Sequence, residues 1–198
     1  MPRSIGFANT GIEGFILAGG RSTRFGSNKA LALVDGRPLL VHALHAVRTL
    51  GIEPRVVCSD PSPYREWASA FVLSERPGLG PLEAVRAGLS GSIAPWNLIV
   101  TADMPGVDPD LLRILLREVR TQSVPERIVC FEDGEGRRHP FPGVYPRSVL
   151  SSIESMGDGG SMHRLLDETK ARVLGPKALP AGVHPTAPFR NINRPQDL

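Results

Sequence analysis

The sequence predicts an α/β fold in which a mostly parallel sheet carries helices on both faces. Apolar, strand-like runs alternate with segments of helical period along most of the 198 residues. The most hydrophobic run, residues 97–101, is expected at the centre of the sheet. Pro38, Pro81 and Pro109 each stand where a helix is expected to begin.

The first two thirds of the chain supply most of the alternation. Strands are predicted at residues 13–18, 55–59, 71–73 and 97–101. Helices are predicted from Pro38 to Gly51, at residues 64–70, from Pro81 through Leu89, and after the N-cap residue Asp108. The last of these has a clean apolar stripe at Leu111, Leu112, Leu115, Leu116 and Val119.

The last third has a different pattern. Strands at residues 127–131 and 138–145 are joined by Asp133-Gly134, a hairpin signal. A helix follows Pro146, and Ser161 can cap a shorter helix that runs through Leu166. Residues 175–188 carry four prolines, which predicts an irregular loop.

The composition favours a single globular domain and argues against a nucleic-acid-binding or membrane-spanning protein. A hydrophobic content of 41% and a charged content of 22% suit one globular domain over residues 1–198. A net charge of +3 with 6% aromatic residues and no Lys/Arg block argues against nucleic acid as a partner. No apolar run approaches the roughly 18 residues of a membrane span, and the first ten residues lack a signal-peptide core. Cys58 and Cys130 lie inside apolar runs and are expected as buried free thiols, so a cytoplasmic location is expected.

A glycine-rich loop follows the first predicted strand. Its sequence is Leu17-Ala-Gly-Gly-Arg-Ser-Thr-Arg-Phe-Gly-Ser-Asn-Lys29. Glycines allow close backbone approach to a ligand, and the cations Arg21, Arg24 and Lys29 suit a polyphosphate. The spacing fits neither a Walker loop nor the dinucleotide fingerprint. The alternative is a surface turn with solvated charges.

A carboxylate follows the predicted central strand, in Thr101-Ala-Asp103. In a parallel sheet the carboxyl ends of the strands meet at one edge, so Asp103 is expected beside the glycine-rich loop. A carboxylate next to a polyphosphate is a natural ligand of Mg²⁺. The alternative is a helix cap or turn aspartate.

The glycine-rich loop resembles the opening of the nucleotidyltransferases that share a Rossmann-like, three-layer fold. Their pattern Leu-Ala-Gly-Gly-x-Ser-x-Arg-x-Gly-x-x-Lys is met with Ser22 and Arg24. The segment after Ala102, Asp103-Met-Pro, resembles the Cys-Asp-Thr/Met-Pro segment of the molybdenum cofactor guanylyltransferases. Gly80-Pro81-Leu82, His139-Pro140 and the tail Asn191-Ile-Asn193-Arg-Pro-Gln-Asp-Leu198 also resemble that family.

The resemblance implies a reaction and a site. The family transfers GMP from GTP to molybdopterin and releases pyrophosphate. The aspartate of the family's segment holds the catalytic Mg²⁺, so the resemblance implies the same role for Asp103. Catalytic roles are implied for Arg24, Lys29 and Asp103. Donor-binding roles are implied for Leu17, Ala18, Gly19, Gly20, Lys29, Glu75, Pro81, Leu82 and Asp103, where Glu75 replaces the family's usual aspartate. On the acceptor side, roles are implied for His139, Asn191 and Asn193.

The implied organisation is a single nucleotidyltransferase domain, with a nucleotide-binding part at about 14–125 and an acceptor-side part at about 126–198. Molybdoenzyme-specific chaperones or other cofactor-biosynthesis proteins are the implied protein partners. Rival functions are a molybdenum cofactor cytidylyltransferase, another NTP transferase with a phosphorylated acceptor, and a non-catalytic nucleotide-binding protein. Asp133 is either a turn residue or a group facing the acceptor, and His42 and His45 are expected to be surface or packing residues.

Overall fold

A seven-stranded sheet, counted over the described residues, is the framework of the computed structural model. The structure describes residues 11–19, 28–76, 78–121, 126–180 and 182–197. The strands are β1 (Ile12–Leu17), β2 (Leu33–Val34), β3 (Arg37–Pro38), β4 (Arg55–Cys58), β5 (Phe71–Leu73), β6 (Trp96–Thr101), β7 (Val129–Glu132), β8 (Arg138–Pro146) and β9 (Arg172–Leu174). The helices are α1 (Leu39–Arg48), α2 (Pro81–Ser90), α3 (Pro109–Thr121), α4 (Leu150–Met156) and α5 (Met162–Glu168).

The sheet has the strand order β5-β4-β1-β6-β8-β7-β9. Strands β5, β4, β1 and β6 run parallel to one another. Strand β8 is antiparallel to both of its neighbours, and β9 is parallel to β7. The prediction of a mostly parallel sheet is confirmed, and β6 lies fourth of the seven, at the predicted centre.

Helices cover both faces of the sheet, as predicted. Side chains of α1 and α3 pack into one apolar cluster with one face of the central strands, where Leu98 and Val100 of β6 point. Side chains of α2, α4 and α5 pack on the opposite face, which Ile99 of β6 joins. The strict alternation along β6 shows that it is buried on both sides, which explains its near-continuous apolar sequence.

The helix starts follow the capping chemistry in the sequence. The Asp108 carboxylate accepts a hydrogen bond from the Leu111 N–H at 2.8 Å at the start of α3. The Ser161 hydroxyl accepts from the Arg164 N–H at 3.2 Å at the start of α5. Both caps satisfy amide groups that a helix leaves without an internal partner.

One local prediction is wrong, and two features of the fold were not predicted. The helix predicted at residues 64–70 is a 3-10 turn at Ser62–Tyr64 followed by further turns, because Ala70 already accepts a hydrogen bond from Val56 at the sheet edge. Strand β9 and the β2–β3 hairpin were not predicted. The hairpin turns at Asp35 and Gly36, both at positive φ, which is the conformation of a tight two-residue turn.

Both cysteines are free and buried, as predicted. Burial raises the pKa of the Cys58 thiol to about 11 and that of Cys130 to about 12. Among the helices of the described ranges, none combines the length and the apolar character that a membrane span requires.

Candidate functional site

A cavity of about 580 Å³ opens at the carboxyl ends of the parallel strands. Its lining includes the last residues of β1, β4 and β6, which are Leu17, Cys58 and Thr101. Phe141 of the antiparallel strand β8 contributes to the wall. The site is therefore where an open parallel sheet is expected to bind its ligand.

The cavity gathers most of the predicted site residues that the structure describes. They come from segments far apart in the sequence and meet because their loops leave the same edge of the sheet. Those that line the cavity are Leu17, Ala18, Gly19, Lys29, Pro81, Asp103, His139 and Asn191.

Lys29 and Asp103 form an ion pair in this cavity. The Lys29 Nζ lies 2.7 Å from Asp103 Oδ2, and the two side chains are 20% and 26% exposed. The same Nζ donates to Asn193 Oδ1 at 3.0 Å. Two of the three predicted catalytic residues therefore meet, and Asn193 of the tail joins them although it is not part of the cavity lining.

The C-terminal tail is tied to the Asp103 loop through its backbone. The Ile192 N–H donates to the Asp103 carbonyl at 2.9 Å. Asp197 in turn accepts from the N–H groups of Asn193 and Arg194, both at 2.8 Å, and these bonds lower the pKa of Asp197. The Asp197 side chain thus orders the backbone of the tail, and the Ile192 bond holds the tail beside the Lys29–Asp103 ion pair.

The backbone of the first loop is held by a tyrosine. The Tyr64 hydroxyl donates to the Ala18 carbonyl at 2.9 Å, and the Asn28 Nδ2 donates to the same hydroxyl at 3.1 Å. Burial raises the pKa of Tyr64. Tyr64 was not predicted as a site residue, because no motif in the sequence distinguishes it from an ordinary packing aromatic.

His139 is fixed in the cavity wall from two directions. Its Nε2 lies 2.8 Å from Asp133 Oδ2, and its ring stacks on Phe189 with centroids 4.4 Å apart and planes 12° apart. Asp133 is only 4% exposed. The hydrogen bond from the His139 ring lowers the pKa of Asp133. Asp133 is thus a turn residue, as the first hypothesis holds, and it does not line the cavity within the described residues but contacts His139, which does.

A charged network anchors the loop between β5 and α2. Glu83, which is 6% exposed, accepts from Arg86 at 2.7 and 2.8 Å and from Arg76 at 3.1 Å. Arg76 also pairs with Asp158 at 2.6 Å. The hydrogen bonds from Arg86 lower the pKa of Glu83. Because Arg76 lines the cavity, this network connects its wall to helix α2.

The remaining predicted residues lie elsewhere. Glu75 is exposed on the loop before α2 and is absent from the cavity lining within the described residues. Leu82 is buried in the core against α4 and α5 rather than facing the cavity. Arg24 and Gly20 fall outside the described residues.

A metal ion at this site would have to take some of its ligand atoms from the bound substrate, because the described part of the protein offers few. No cluster of three or more His, Cys, Asp or Glu side chains suited to a metal occurs in the described ranges, and there Asp103 is the one carboxylate lining the cavity. A single carboxylate fits a divalent ion of the kind that takes one or two carboxylates and completes its shell with phosphate oxygens and water, provided that the Lys29 Nζ gives up its place on Asp103.

Comparison with known proteins gives one consistent family. The sequence pattern of the family described as "MobA-like NTP transferase domain" matches residues 14–173. A probable molybdenum cofactor guanylyltransferase of Chloroflexus aggregans is 30% identical over 194 residues, covering 94% of this chain and 91% of the relative. A molybdenum cofactor guanylyltransferase of Pseudomonas aeruginosa is 34% identical over 158 residues, covering 76% of this chain and 78% of the relative.

Solved structures agree on the fold. The crystal structure of molybdopterin-guanine dinucleotide biosynthesis protein A from Archaeoglobus fulgidus matches with a TM-score of 0.77. The alignment covers 93% of this chain and 94% of that one at 20% sequence identity. The fold of this chain is therefore one already known from solved structures.

Proposed function

The chain belongs to the MobA-like NTP transferase family, and from that premise we propose that it transfers GMP from GTP to molybdopterin, with release of pyrophosphate. The curated relatives support the choice of guanylyl donor and molybdopterin acceptor. The observation that carries the proposal is the Lys29–Asp103 pair at 2.7 Å, at the edge of the sheet beside the loop after β1. A cation and a carboxylate in that position are what a triphosphate with its metal requires.

Guanine is proposed to bind at the end of β1. Its Watson–Crick edge presents N–H donors, which need carbonyl oxygens as partners. The Leu17 carbonyl accepts from Ala102 at 3.0 Å and the Ala18 carbonyl accepts from Tyr64 at 2.9 Å. Each carbonyl has a second acceptor site, so both can accept again from the base. Tyr64 would then keep the Ala18 oxygen in place for recognition.

Lys29 and Asp103 are proposed to act on the phosphates. Lys29 would leave Asp103 and grip the triphosphate, together with Arg24 and the backbone of Gly19 and Gly20. Asp103 would hold Mg²⁺, the divalent ion we propose for this site. When bound, that ion supplies neutralisation of the charge on the phosphate oxygens.

The reaction needs little proton chemistry. An anionic oxygen of the acceptor's terminal phosphate attacks the α-phosphorus of GTP, a new P–O bond forms, and the α–β P–O bond breaks. Pyrophosphate leaves with the electron pair, so no strong general base is required. Catalysis comes from positioning the two phosphates in line and from neutralising their charge.

The acceptor is proposed to enter from the side of β8 and the tail. His139 and Asn191 line that part of the cavity and Asn193 contacts Lys29, so all three can contact the acceptor or its phosphate. Residues of about 14–125 would bind the nucleotide and residues of about 126–198 the acceptor, as parts of one domain. Pro81 lines the donor side, whereas Glu75 and Leu82 keep only the roles that the family resemblance implies.

The setting of the reaction is part of the proposal. The two buried free thiols suit a reducing compartment, so the cytoplasm is the proposed location. Molybdoenzyme-specific chaperones or other cofactor-biosynthesis proteins are the proposed partners for handing on the product.

The test compares nucleotides and acceptors directly. The protein is incubated with each α-labelled NTP, Mg²⁺ and molybdopterin, and transfer of label to the acceptor is measured. GTP should give the dinucleotide and should raise the melting temperature more than CTP does. An equal or greater response to CTP would support a cytidylyltransferase. Nucleotide binding without transfer to molybdopterin or any phosphorylated acceptor would support a non-catalytic role.

A further inference from the structure

The carboxylate of Asp133 divides its hydrogen bonds between two tasks. Its Oδ1 accepts from the N–H groups of Glu135 and Arg137 at 2.8 and 3.0 Å, which closes the turn between β7 and β8. Its Oδ2 faces the His139 Nε2 at 2.8 Å. The turn therefore occupies one oxygen and leaves the other for the histidine.

This division determines which ring nitrogen of His139 carries the proton. A carboxylate accepts hydrogen bonds, so Nε2 must be the donor in the Asp133 contact. In the neutral ring Nδ1 then keeps its lone pair. A half-turn of the ring would put Cε1 in place of Nε2 at Asp133 and lose this hydrogen bond, and stacking on Phe189, which is itself buried, opposes such a turn.

We propose that Asp133 is a positioning residue that holds His139 as the Nε2–H tautomer, so that Nδ1 serves as a hydrogen-bond acceptor for an N–H or O–H group of the acceptor substrate. The inference rests on the proposed function for the identity of that substrate. It adds a residue that does not line the cavity and that would act on the acceptor only through His139.

The substitution Asp133→Asn tests this with little change in shape. The amide oxygen can keep the two turn bonds, and the amide nitrogen would take the place of Oδ2. That nitrogen donates to Nε2, which forces the His139 proton to Nδ1 and turns Nδ1 from an acceptor into a donor. Asp167→Asn is the matched control, because it removes a carboxylate that pairs with the neighbouring Arg138 at 2.6 Å.

Two measurements decide the matter. The first is ¹⁵N NMR of the histidine rings at a pH where they are neutral, with the His139 signal identified by its loss in His139→Gln. Wild type and Asp167→Asn should show the Nε2–H tautomer and Asp133→Asn the Nδ1–H tautomer. The second is transfer kinetics, in which Asp133→Asn should lower kcat/KM for the acceptor roughly tenfold, as for one lost hydrogen bond, with GTP affinity unchanged.

A double variant shows whether Asp133 acts on the acceptor through His139 or independently of it. In a His139→Gln background, Asp133→Asn should cause no further loss of acceptor kcat/KM, since its effect passes through the ring. An equal loss in both backgrounds would overturn the inference, as would a wild-type ring protonated on Nδ1 or a tautomer that Asp133→Asn leaves unchanged. The NMR arm needs no substrate, so it tests the positioning of His139 by Asp133 even if molybdopterin is not the acceptor.

Discussion

Asp103→Asn is the most direct test of the proposed chemistry. The side chain keeps its shape, and its amide oxygen can still accept a hydrogen bond from the Lys29 Nζ, now at 2.7 Å from Oδ2. The Asp103 backbone keeps its bond from Ile192, because that contact uses the carbonyl. What disappears is one negative charge in the wall of the cavity.

The substitution should have a small effect on stability and a large effect on the transfer rate. Lys29 and Asp103 are 20% and 26% exposed, so solvent screens their attraction, and losing it should cost less than about 1 kcal/mol of unfolding free energy. Charge stabilisation at reacting phosphates is worth more. By comparison with a single oxyanion donor, we expect transfer to slow about a hundredfold, or ~3 kcal/mol in activation free energy.

The assay measures melting temperature and single-turnover GMP transfer on one preparation. Asp110→Asn serves as the control, because that carboxylate is 73% exposed and pairs only with Arg113 among the contacts described for it. The control should match wild type in both measurements. A clear fall in stability with a normal transfer rate would refute the reasoning and return Asp103 to a structural role.

Three further variants follow from other contacts. Tyr64→Phe removes the hydroxyl that holds the Ala18 carbonyl, so calorimetry should show GTP binding about tenfold weaker, and unchanged affinity would exclude this role. Glu83→Gln leaves the Arg86 guanidinium without its buried anion and should cost about 2 kcal/mol in urea unfolding; a loss below about 0.5 kcal/mol would contradict it. The pKa of Asp133 lies below its unfolded value of about 3.9, so its stabilisation is complete above that pH and is lost as the pH falls through the lower, folded value. Asp133→Asn should therefore flatten the acid branch of a stability–pH curve, and an unaltered branch would argue against the contact.

Prediction from sequence succeeded where a single local signal decides the structure. The apolar run of β6 and the caps Asp108 and Ser161 act within a few residues, and each was found. The segment at 64–70 failed because distant contacts override its weak helical tendency: Ala70 bonds to Val56 in the sheet. Asp35-Gly36 carried a hairpin signal in the sequence that could have revealed β2 and β3.

Strand β9 could not be found in the same way. It has three residues and gains its stability from pairing with β7, where Arg172 donates to the Ile128 carbonyl at 2.7 Å. Within the site, the rule that ligands bind at the carboxyl ends of parallel strands predicted that Asp103 lies at the same edge as the loop that contains Lys29. No such rule predicts Tyr64, because its role depends on one hydrogen bond to a backbone carbonyl 46 residues away.

The link between the tail and the Asp103 loop makes completion of the site depend on the order of synthesis. A chain emerging from the ribosome can pair β1 with β6 once residue 101 is free, and the last strand of the sheet ends at Leu174. Ile192 and Asn193, which bond to Asp103 and Lys29, emerge later than every described strand. A chain halted between these points would contain all the described strands of the sheet but would lack Asn191 of the cavity lining and the Asn193 contact to Lys29, so the sheet and the site are completed at different moments.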